Sequence, residues 1–113
     1  WLNFCDFDSK YGHRNDIDGY AKALTEADTA LEKFLKDMRD DDLLIITADH
    51  GCDPATPSTD HSREYVPCIM YKKGIVPANL GTQKGFYHIG ATILKELNIK
   101  SPVDTLDSKN SLL

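Results

Sequence analysis

The chain has 113 residues, of which 41% are hydrophobic and 27% charged, so it falls within the range of one globular domain. Its formal net charge of −5, without a basic stripe, argues against a nucleic-acid-binding groove. No apolar run approaches the roughly 20 residues that span a bilayer, and no signal-type segment opens the chain. The three cysteines form no C-x-x-C pair, which argues against a disulfide framework or a thiolate zinc site. We therefore expect a cytosolic protein without a membrane or nucleic-acid partner.

The chain opens directly on a strand-like segment, Trp1 to Phe4, with no initiator methionine. Such a start is typical of a piece of a larger protein, although processing or removal of a tag would also explain it. Leu2 to Phe7 is short, apolar and aromatic, and then breaks into polar residues, which predicts a strand running into a loop. Asp8 and His13 would then lie at the exit of this strand.

An amphipathic helix is predicted next. From Ile17 to Met38 the apolar side chains recur at steps of three and four residues, which is the signature of a helix of about 20 residues. Asp16 or Asp18 would cap its amino terminus. The charged stretch from Arg39 to Asp42 is interpreted as a solvated connection rather than a cation site.

The central strand is predicted from the unbroken apolar run Leu43 to Ile46. Asp49 and His50 follow it and precede a glycine. This pattern predicts a buried parallel strand that delivers metal-type side chains at its carboxyl end. With the first strand and the helix it would form a right-handed βαβ unit. The predicted fold class is therefore α/β with a mostly parallel sheet.

The stretch from Gly51 to Glu64 has no periodicity, and unstructured loops of this length are uncommon in compact domains unless they are functional. It carries His61 back toward the end of the preceding strand. Val66 to Tyr71 predicts the next strand, and apolar positions between Ile89 and Leu97 predict a second helix. The chain shows no internal repeat and no linker, so a single domain is expected.

Acidic and imidazole side chains recur where the predicted strands end, and these are ligands that hard or borderline divalent ions accept. The candidate metal ligands are Asp8, His13, Asp49, His50 and His61. A set of ordinary turn residues would explain the same pattern, and this alternative stays open. His88 lies at the start of the second helix without acidic company and is predicted to be structural.

Other kinds of site fit the sequence less well. A calcium loop starting at Asp6 would place Tyr11 at the glycine position and Ile17 at the bidentate-glutamate position. Neither a phosphate-binding P-loop nor a G-x-S-x-G nucleophile motif is present. Cys52 lies beside the metal-type residues, but its acidic neighbours disfavour a thiolate nucleophile.

Several motifs together closely resemble the phosphopentomutase family of the alkaline phosphatase superfamily. In chain order they are Asp6-Phe7-Asp8, Tyr11-Gly12-His13-Arg14, Asp18-Gly19-Tyr20, Thr47-Ala48-Asp49-His50-Gly51, Asp53-Pro54 and the stretch from Thr59 to Pro67. The resemblance covers nearly the whole chain, with Cys52 as a departure where asparagine or a similar small polar residue is expected. It implies a three-layer α/β/α alkaline phosphatase-like core, of which residues 1–113 would be the carboxyl-terminal portion, the amino-terminal portion and the cap domain being absent.

The same resemblance implies a mutase that moves a phosphate between the 1- and 5-positions of ribose or deoxyribose. Such an enzyme uses two manganese ions (Mn²⁺) and a phosphorylated threonine. By resemblance, Asp8, His13 and His61 would hold one ion, and Asp49 and His50 the other. The nucleophilic threonine would lie in the absent portion, so we expect no catalytic residue on this chain and no activity from the chain alone.

Some choices stay open after the resemblance. Arg63 is either a phosphate contact or a solvated side chain. Another two-metal phosphomutase or phosphatase of the same superfamily is one alternative function, and a metal-binding domain without catalysis is another. The sequence predicts neither the oligomeric state nor the preference between ribose and deoxyribose.

Overall fold

The structure, a computed structural model, describes residues 1–113 and comprises two compact units, Trp1–Ile75 and Val76–Leu113. The first unit contains a π-helical turn (Phe7–Tyr11), a 3₁₀ turn (Gly12–Arg14), helix α1 (Ile17–Asp37) and strands β1 (Leu44–Thr47) and β2 (Cys68–Tyr71). The second unit contains helix α2 (Tyr87–Glu96) and two 3₁₀ turns (Asp104–Leu106 and Ser108–Asn110). None of the helices combines the length and the hydropathy that crossing a bilayer requires.

Helix α1 confirms the helix predicted from Ile17. Asp16 caps it, since its Oδ1 accepts a hydrogen bond from the backbone N of Gly19 at 2.9 Å. The helix ends before Met38, whose backbone is extended and whose side chain is buried. The apolar stripe is less covered than its regularity suggests, because Leu24 and Phe34 each remain 53% exposed.

The strand predicted over Leu2 to Phe7 is wrong, because the π-helical turn Phe7–Tyr11 begins within this stretch. Short apolar and aromatic segments are ambiguous between helix and strand, and pairing with a neighbouring strand usually decides the outcome. The sheet contains only β1 and β2, so this segment has no strand to pair with. Phe7 instead packs on Tyr20 of α1, with ring centroids 5.3 Å apart. The predicted βαβ unit is therefore not formed, and Asp8 lies on a helical turn.

Strands β1 and β2 confirm the two later strand predictions, with shifted ends. They pair antiparallel, with Leu44 opposite Tyr71 and Thr47 opposite Cys68. The α/β class is confirmed, whereas the mostly parallel sheet and the three-layer core are not, because the sheet has only these strands. The antiparallel pairing places the exit of β1 beside the entry of β2. The long loop between them therefore starts and ends at the same end of the sheet.

The second unit is organised around Thr92, which is fully buried on α2. Its Oγ1 donates a hydrogen bond to the backbone O of His88 at 2.8 Å and accepts one from the backbone N of Leu112 at 2.9 Å. The Nδ1 of His88 lies 2.8 Å from the backbone O of Asn110. His88 thus makes a contact of the structural kind predicted for it, and it joins the tail to α2.

Candidate metal centre

The long loop between β1 and β2 is closed at its base by backbone pairing. The backbone N of Ser62 donates to the O of Gly51 at 3.2 Å, and the Oγ of Ser62 accepts from the N of Asp53 at 2.9 Å. A side chain at position 51 would not fit, because its Cβ would lie 2.5 Å from the O of Ser62. This close approach places His50 and His61 on adjacent segments of backbone.

The first turns of the chain pack against the same loop. Gly12 is buried, and a Cβ at this position would collide with the Sγ of Cys52. Glycine leaves room for this close approach, which brings the π-helical turn Phe7–Tyr11 against the segment that follows β1. Asp8 on that turn and His13 just after it are thereby carried to the two loop histidines.

Three imidazole nitrogens converge on one carboxylate oxygen. The Oδ1 of Asp8 lies 3.3 Å from Nε2 of His61, 3.4 Å from Nε2 of His13 and 3.6 Å from Nε2 of His50. The rings of His50 and His61 are stacked with centroids 3.6 Å apart. The ligand atoms of Asp8, His50 and His61 all lie within 4.8 Å of one another, in an arrangement that a single ion could occupy.

Backbone carbonyls fix the orientation of two of these rings. The Nδ1 of His13 lies 2.5 Å from the O of Thr59, and the Nδ1 of His50 lies 3.0 Å from the O of Gly51. A carbonyl oxygen only accepts hydrogen bonds, so in both rings Nδ1 carries the proton. In the neutral ring Nε2 then presents a lone pair toward Asp8. This is the usual arrangement of a metal-binding histidine, whose second nitrogen donates to a carbonyl or carboxylate.

The Oδ1 of Asp8 provides the test of whether these residues fit a metal ion. This atom is buried and accepts no hydrogen bond. While neutral, His13 and His50 cannot donate to it from Nε2, because their protons lie on Nδ1, and charging all three rings would bring imidazolium groups into direct contact. A divalent ion binds nitrogen and oxygen ligands at about 2.0–2.2 Å, which places the ligand atoms roughly 3–3.5 Å apart. The spacings around Asp8 are close to this range, so the donor set fits a divalent ion.

Asp49 lies at the rim of this cluster. Its side chain is 88% exposed, and its Oδ1 lies 3.8 Å from the Nε2 of His50. The sequence analysis assigned His50 to the ion of Asp49, whereas the structure places the Nε2 of His50 slightly nearer to Asp8. All the predicted ligands therefore lie in one neighbourhood, and their division between two ions stays a prediction.

Two other residues singled out from the sequence lie near the predicted ligands along the chain. Burial raises the pKa of the Cys52 thiol, and the charges of Asp8 and Asp53 raise it further. A raised pKa keeps the thiol protonated, in agreement with the expectation that Cys52 is not a thiolate nucleophile. Arg63 is exposed, and its role as a phosphate contact stays a prediction.

Asn15 is a residue that the sequence analysis missed. Its Nδ2 lies 3.1, 2.6 and 3.1 Å from the backbone O atoms of Pro54, Thr56 and Ser58, all in the long loop. Its backbone is left-handed, with φ of 51°. Asparagine is enriched among the non-glycine residues that adopt this conformation, but one asparagine between charged residues gives no recognisable motif.

The profile of the Metalloenzyme superfamily matches residues 1–101, and the chain belongs to this superfamily. Several curated proteins named phosphopentomutase are similar to this chain. A phosphopentomutase of Lachnoclostridium phytofermentans is 57% identical over 104 residues, which cover 91% of this chain and 27% of the relative. A phosphopentomutase of Acetivibrio thermocellus is 52% identical over 114 residues, covering 100% of this chain and 29% of the relative.

A phosphopentomutase of Clostridium kluyveri is 50% identical over 111 residues, covering 97% of this chain and 28% of the relative. These similarities confirm the resemblance found in the sequence motifs. The chain thus spans between a quarter and a third of the length of these relatives and corresponds to their carboxyl-terminal part.

Proposed function

We propose that the protein to which this chain belongs is a phosphopentomutase, an isomerase that interconverts the 1-phosphate and 5-phosphate of ribose or deoxyribose. The convergence of imidazole nitrogens on the buried, unpartnered Oδ1 of Asp8 carries this proposal. Identities of 50–57% to proteins named phosphopentomutase support the choice of reaction within the superfamily.

The proposed metal ligands divide into two groups. Asp8, His13 and His61 hold one ion, and Asp49 and His50 hold the other, with manganese as the proposed metal. When bound, such a pair of ions polarises a phosphoryl group and stabilises the charge on its oxygens. The carbonyls of Thr59 and Gly51 hold the rings of His13 and His50 with Nε2 turned toward the ions.

The remainder of the proposed enzyme supplies what this chain lacks. The nucleophilic threonine belongs to that remainder, and the chain alone is expected to be inactive. The half-exposed apolar side chains of α1, such as Leu24 and Phe34, support packing of further core elements against this helix. The compartment that we propose is the cytosol, as the sequence analysis expects.

A metal-binding domain without catalysis is the second candidate, because the whole cluster is built from residues of this chain. The extent of the gene separates the two candidates. A reading frame that extends far upstream of Trp1 agrees with the enzyme, and one that starts near Trp1 would contradict it.

The reaction itself is tested on the complete gene product loaded with Mn²⁺. Phosphorus NMR follows the exchange between ribose 5-phosphate and ribose 1-phosphate. A parallel sample with 3-phosphoglycerate, the substrate of a different mutase, is the control. We expect exchange of the pentose phosphates only, a loss of more than about 100-fold on His61→Ala, and little change on the control His88→Ala. Turnover of 3-phosphoglycerate alone would show that the protein is a different phosphomutase of the superfamily.

A further inference from the structure

Asn15 occupies the centre of the loop that carries His61. Its side-chain nitrogen contacts the carbonyl oxygens of Pro54, Thr56 and Ser58, which alternate along the chain. The amide has two hydrogens for these three acceptors, so at least one hydrogen is shared between carbonyls. The side-chain amide of Asn15 is therefore a single donor group that binds three carbonyls of this loop.

Only a donor fits at this position. The three carbonyl oxygens lie around the same nitrogen. An acceptor atom in its place could form no hydrogen bond with them and would repel them. The backbone of Asn15 adds a second restriction, because its φ of 51° disfavours side chains other than asparagine and aspartate. Aspartate satisfies the backbone requirement and fails the side-chain requirement, so Asn15→Asp isolates the contribution of the amide.

A short series of hydrogen bonds leads from Asn15 to His61. The O of Ser58 is bound by Asn15, and the Oγ of Ser58 accepts a hydrogen bond from the N of Asp60 at 3.0 Å. The Oδ1 of Asp60 accepts one from the N of His61, also at 3.0 Å. The backbone of His61 is thus fixed, by side-chain contacts, to the carbonyls that Asn15 holds.

We propose that Asn15 is a positioning residue of the metal centre, which holds the loop so that the Nε2 of His61 reaches the Oδ1 of Asp8. Its side chain contacts loop carbonyls rather than the imidazole or carboxylate groups of the cluster, and it acts through His61. This inference rests on the proposed metal-binding function of the cluster, and it adds a residue outside the predicted ligand set.

A double-mutant cycle on the complete gene product tests the proposal, with Mn²⁺ affinity measured by calorimetry. We expect Asn15→Asp to weaken binding by about 10- to 100-fold, as loss of a supporting hydrogen bond does in other metal sites. In a His61→Ala background the same substitution should weaken binding clearly less than in the wild type, because only the contact of the loop carbonyl of Thr59 with His13 then remains. Equal weakening in both backgrounds, or none in either, would overturn the proposal.

Two further variants separate positioning from general damage to the fold. Asn98 also has a left-handed backbone, with φ of 53°, and lies in the second unit, so Asn98→Asp is the matched control and should leave affinity unchanged. Asn15→Gly keeps the left-handed backbone accessible and removes the amide. It should weaken binding as Asn15→Asp does, and wild-type affinity in Asn15→Gly would contradict the inference. Circular dichroism checks the fold of each variant.

Amide hydrogen exchange without metal distinguishes failure of this proposal from failure of the metal site. We expect Asn15→Asp to speed exchange at His61 and Ser62 while the amides of α2 are unchanged. If the wild-type chain binds no Mn²⁺ but this change occurs, the metal site is wrong and the positioning of His61 stands. If the exchange of His61 and Ser62 does not change, Asn15 does not position His61.

Discussion

The two compact units differ in whether their buried polar atoms have hydrogen-bond partners. In the second unit the Oγ1 of buried Thr92 and the Nδ1 of His88 both have backbone partners. In the first unit the buried Oδ1 of Asp8 has no hydrogen bond and is surrounded by imidazole nitrogens. An unsatisfied buried polar group costs about 1–3 kcal/mol. The comparison teaches that the second unit provides partners for its buried polar groups, whereas the first leaves one without a partner at the proposed metal centre, where a bound cation would supply it.

Of the proposed substitutions, removal of the Asp8 carboxylate should have the largest effect on Mn²⁺ binding. We expect Asp8→Ala to weaken Mn²⁺ binding by more than about 100-fold, since it removes the only carboxylate at the centre of the cluster. Without metal, the free energy of unfolding should stay the same or rise by up to about 1 kcal/mol, because an unpartnered buried oxygen is lost. Calorimetry and urea unfolding measure the two quantities.

The control for this prediction comes from the second unit. His88→Ala removes an imidazole that contacts the backbone of Asn110 and should leave Mn²⁺ affinity within about twofold of the wild type. A folded Asp8→Ala chain that binds Mn²⁺ as tightly as the wild type would contradict the proposed centre. So would a metal-free Asp8→Ala chain that is much less stable, because the carboxylate would then have a structural partner.

The amphipathic helix and the metal-type residues could be predicted because each depends on short-range information. The periodicity of α1 and the capping aspartate Asp16 are local features. The residue types at Asp8, His13, His50 and His61 indicate affinity for a cation, whatever backbone carries them. The sequence therefore predicts two kinds of feature best: long, strongly periodic segments and side chains with distinctive chemistry.

The remaining features depend on partners that are distant in the sequence. The strand predicted over Leu2 to Phe7 needs a neighbour that the two-stranded sheet does not provide. The grouping of His50 with Asp8 joins two segments that also meet where Gly12 packs against Cys52, and no local pattern encodes these contacts. The role of Asn15 depends on carbonyls about 40 residues further along the chain. Such contacts follow from tertiary structure rather than from local propensity.

In the second unit, removal of a buried polar group that has hydrogen-bond partners should lower stability, whereas removal of the Asp8 carboxylate should not. Thr92→Val keeps the side-chain volume but leaves the backbone N of Leu112 without its acceptor. We expect the free energy of unfolding to fall by about 1–3 kcal/mol, with Mn²⁺ affinity unchanged. Urea unfolding followed by circular dichroism measures the loss.

Thr25→Val is the matched control for this substitution. Thr25 lies on the exposed surface of α1, where its Oγ1 donates to the backbone O of Ala21. Its replacement should change stability by less than about 0.5 kcal/mol, as is usual for surface positions. Equal losses from the two substitutions would mean that burial of Thr92 adds nothing to the strength of its hydrogen bonds.

The smallest expected effect concerns Asp42, a carboxylate of the first unit that, unlike Asp8, has its cation within the chain. The Arg39 side chain donates to its Oδ1 at 2.8 Å, and the Arg39 backbone N donates to its Oδ2 at 2.9 Å. These hydrogen bonds from Arg39 lower the pKa of Asp42 below its usual value of 3.8. Because the pKa is lower in the folded state, the stabilisation is present above the unfolded pKa and is lost as the pH falls through the folded pKa.

Asp42→Asn should therefore flatten the acid limb of a plot of unfolding midpoint against pH and leave the neutral region nearly unchanged. Arg39→Ala should flatten it only in part, because the backbone N of residue 39 still donates to the carboxylate. The effect is small, since the Arg39 side chain is solvent-exposed and that of Asp42 partly so, and water screens the pair. A steeper acid limb in Asp42→Asn would contradict the lowered pKa of Asp42. It would show that the ionised carboxylate is destabilised in the folded chain.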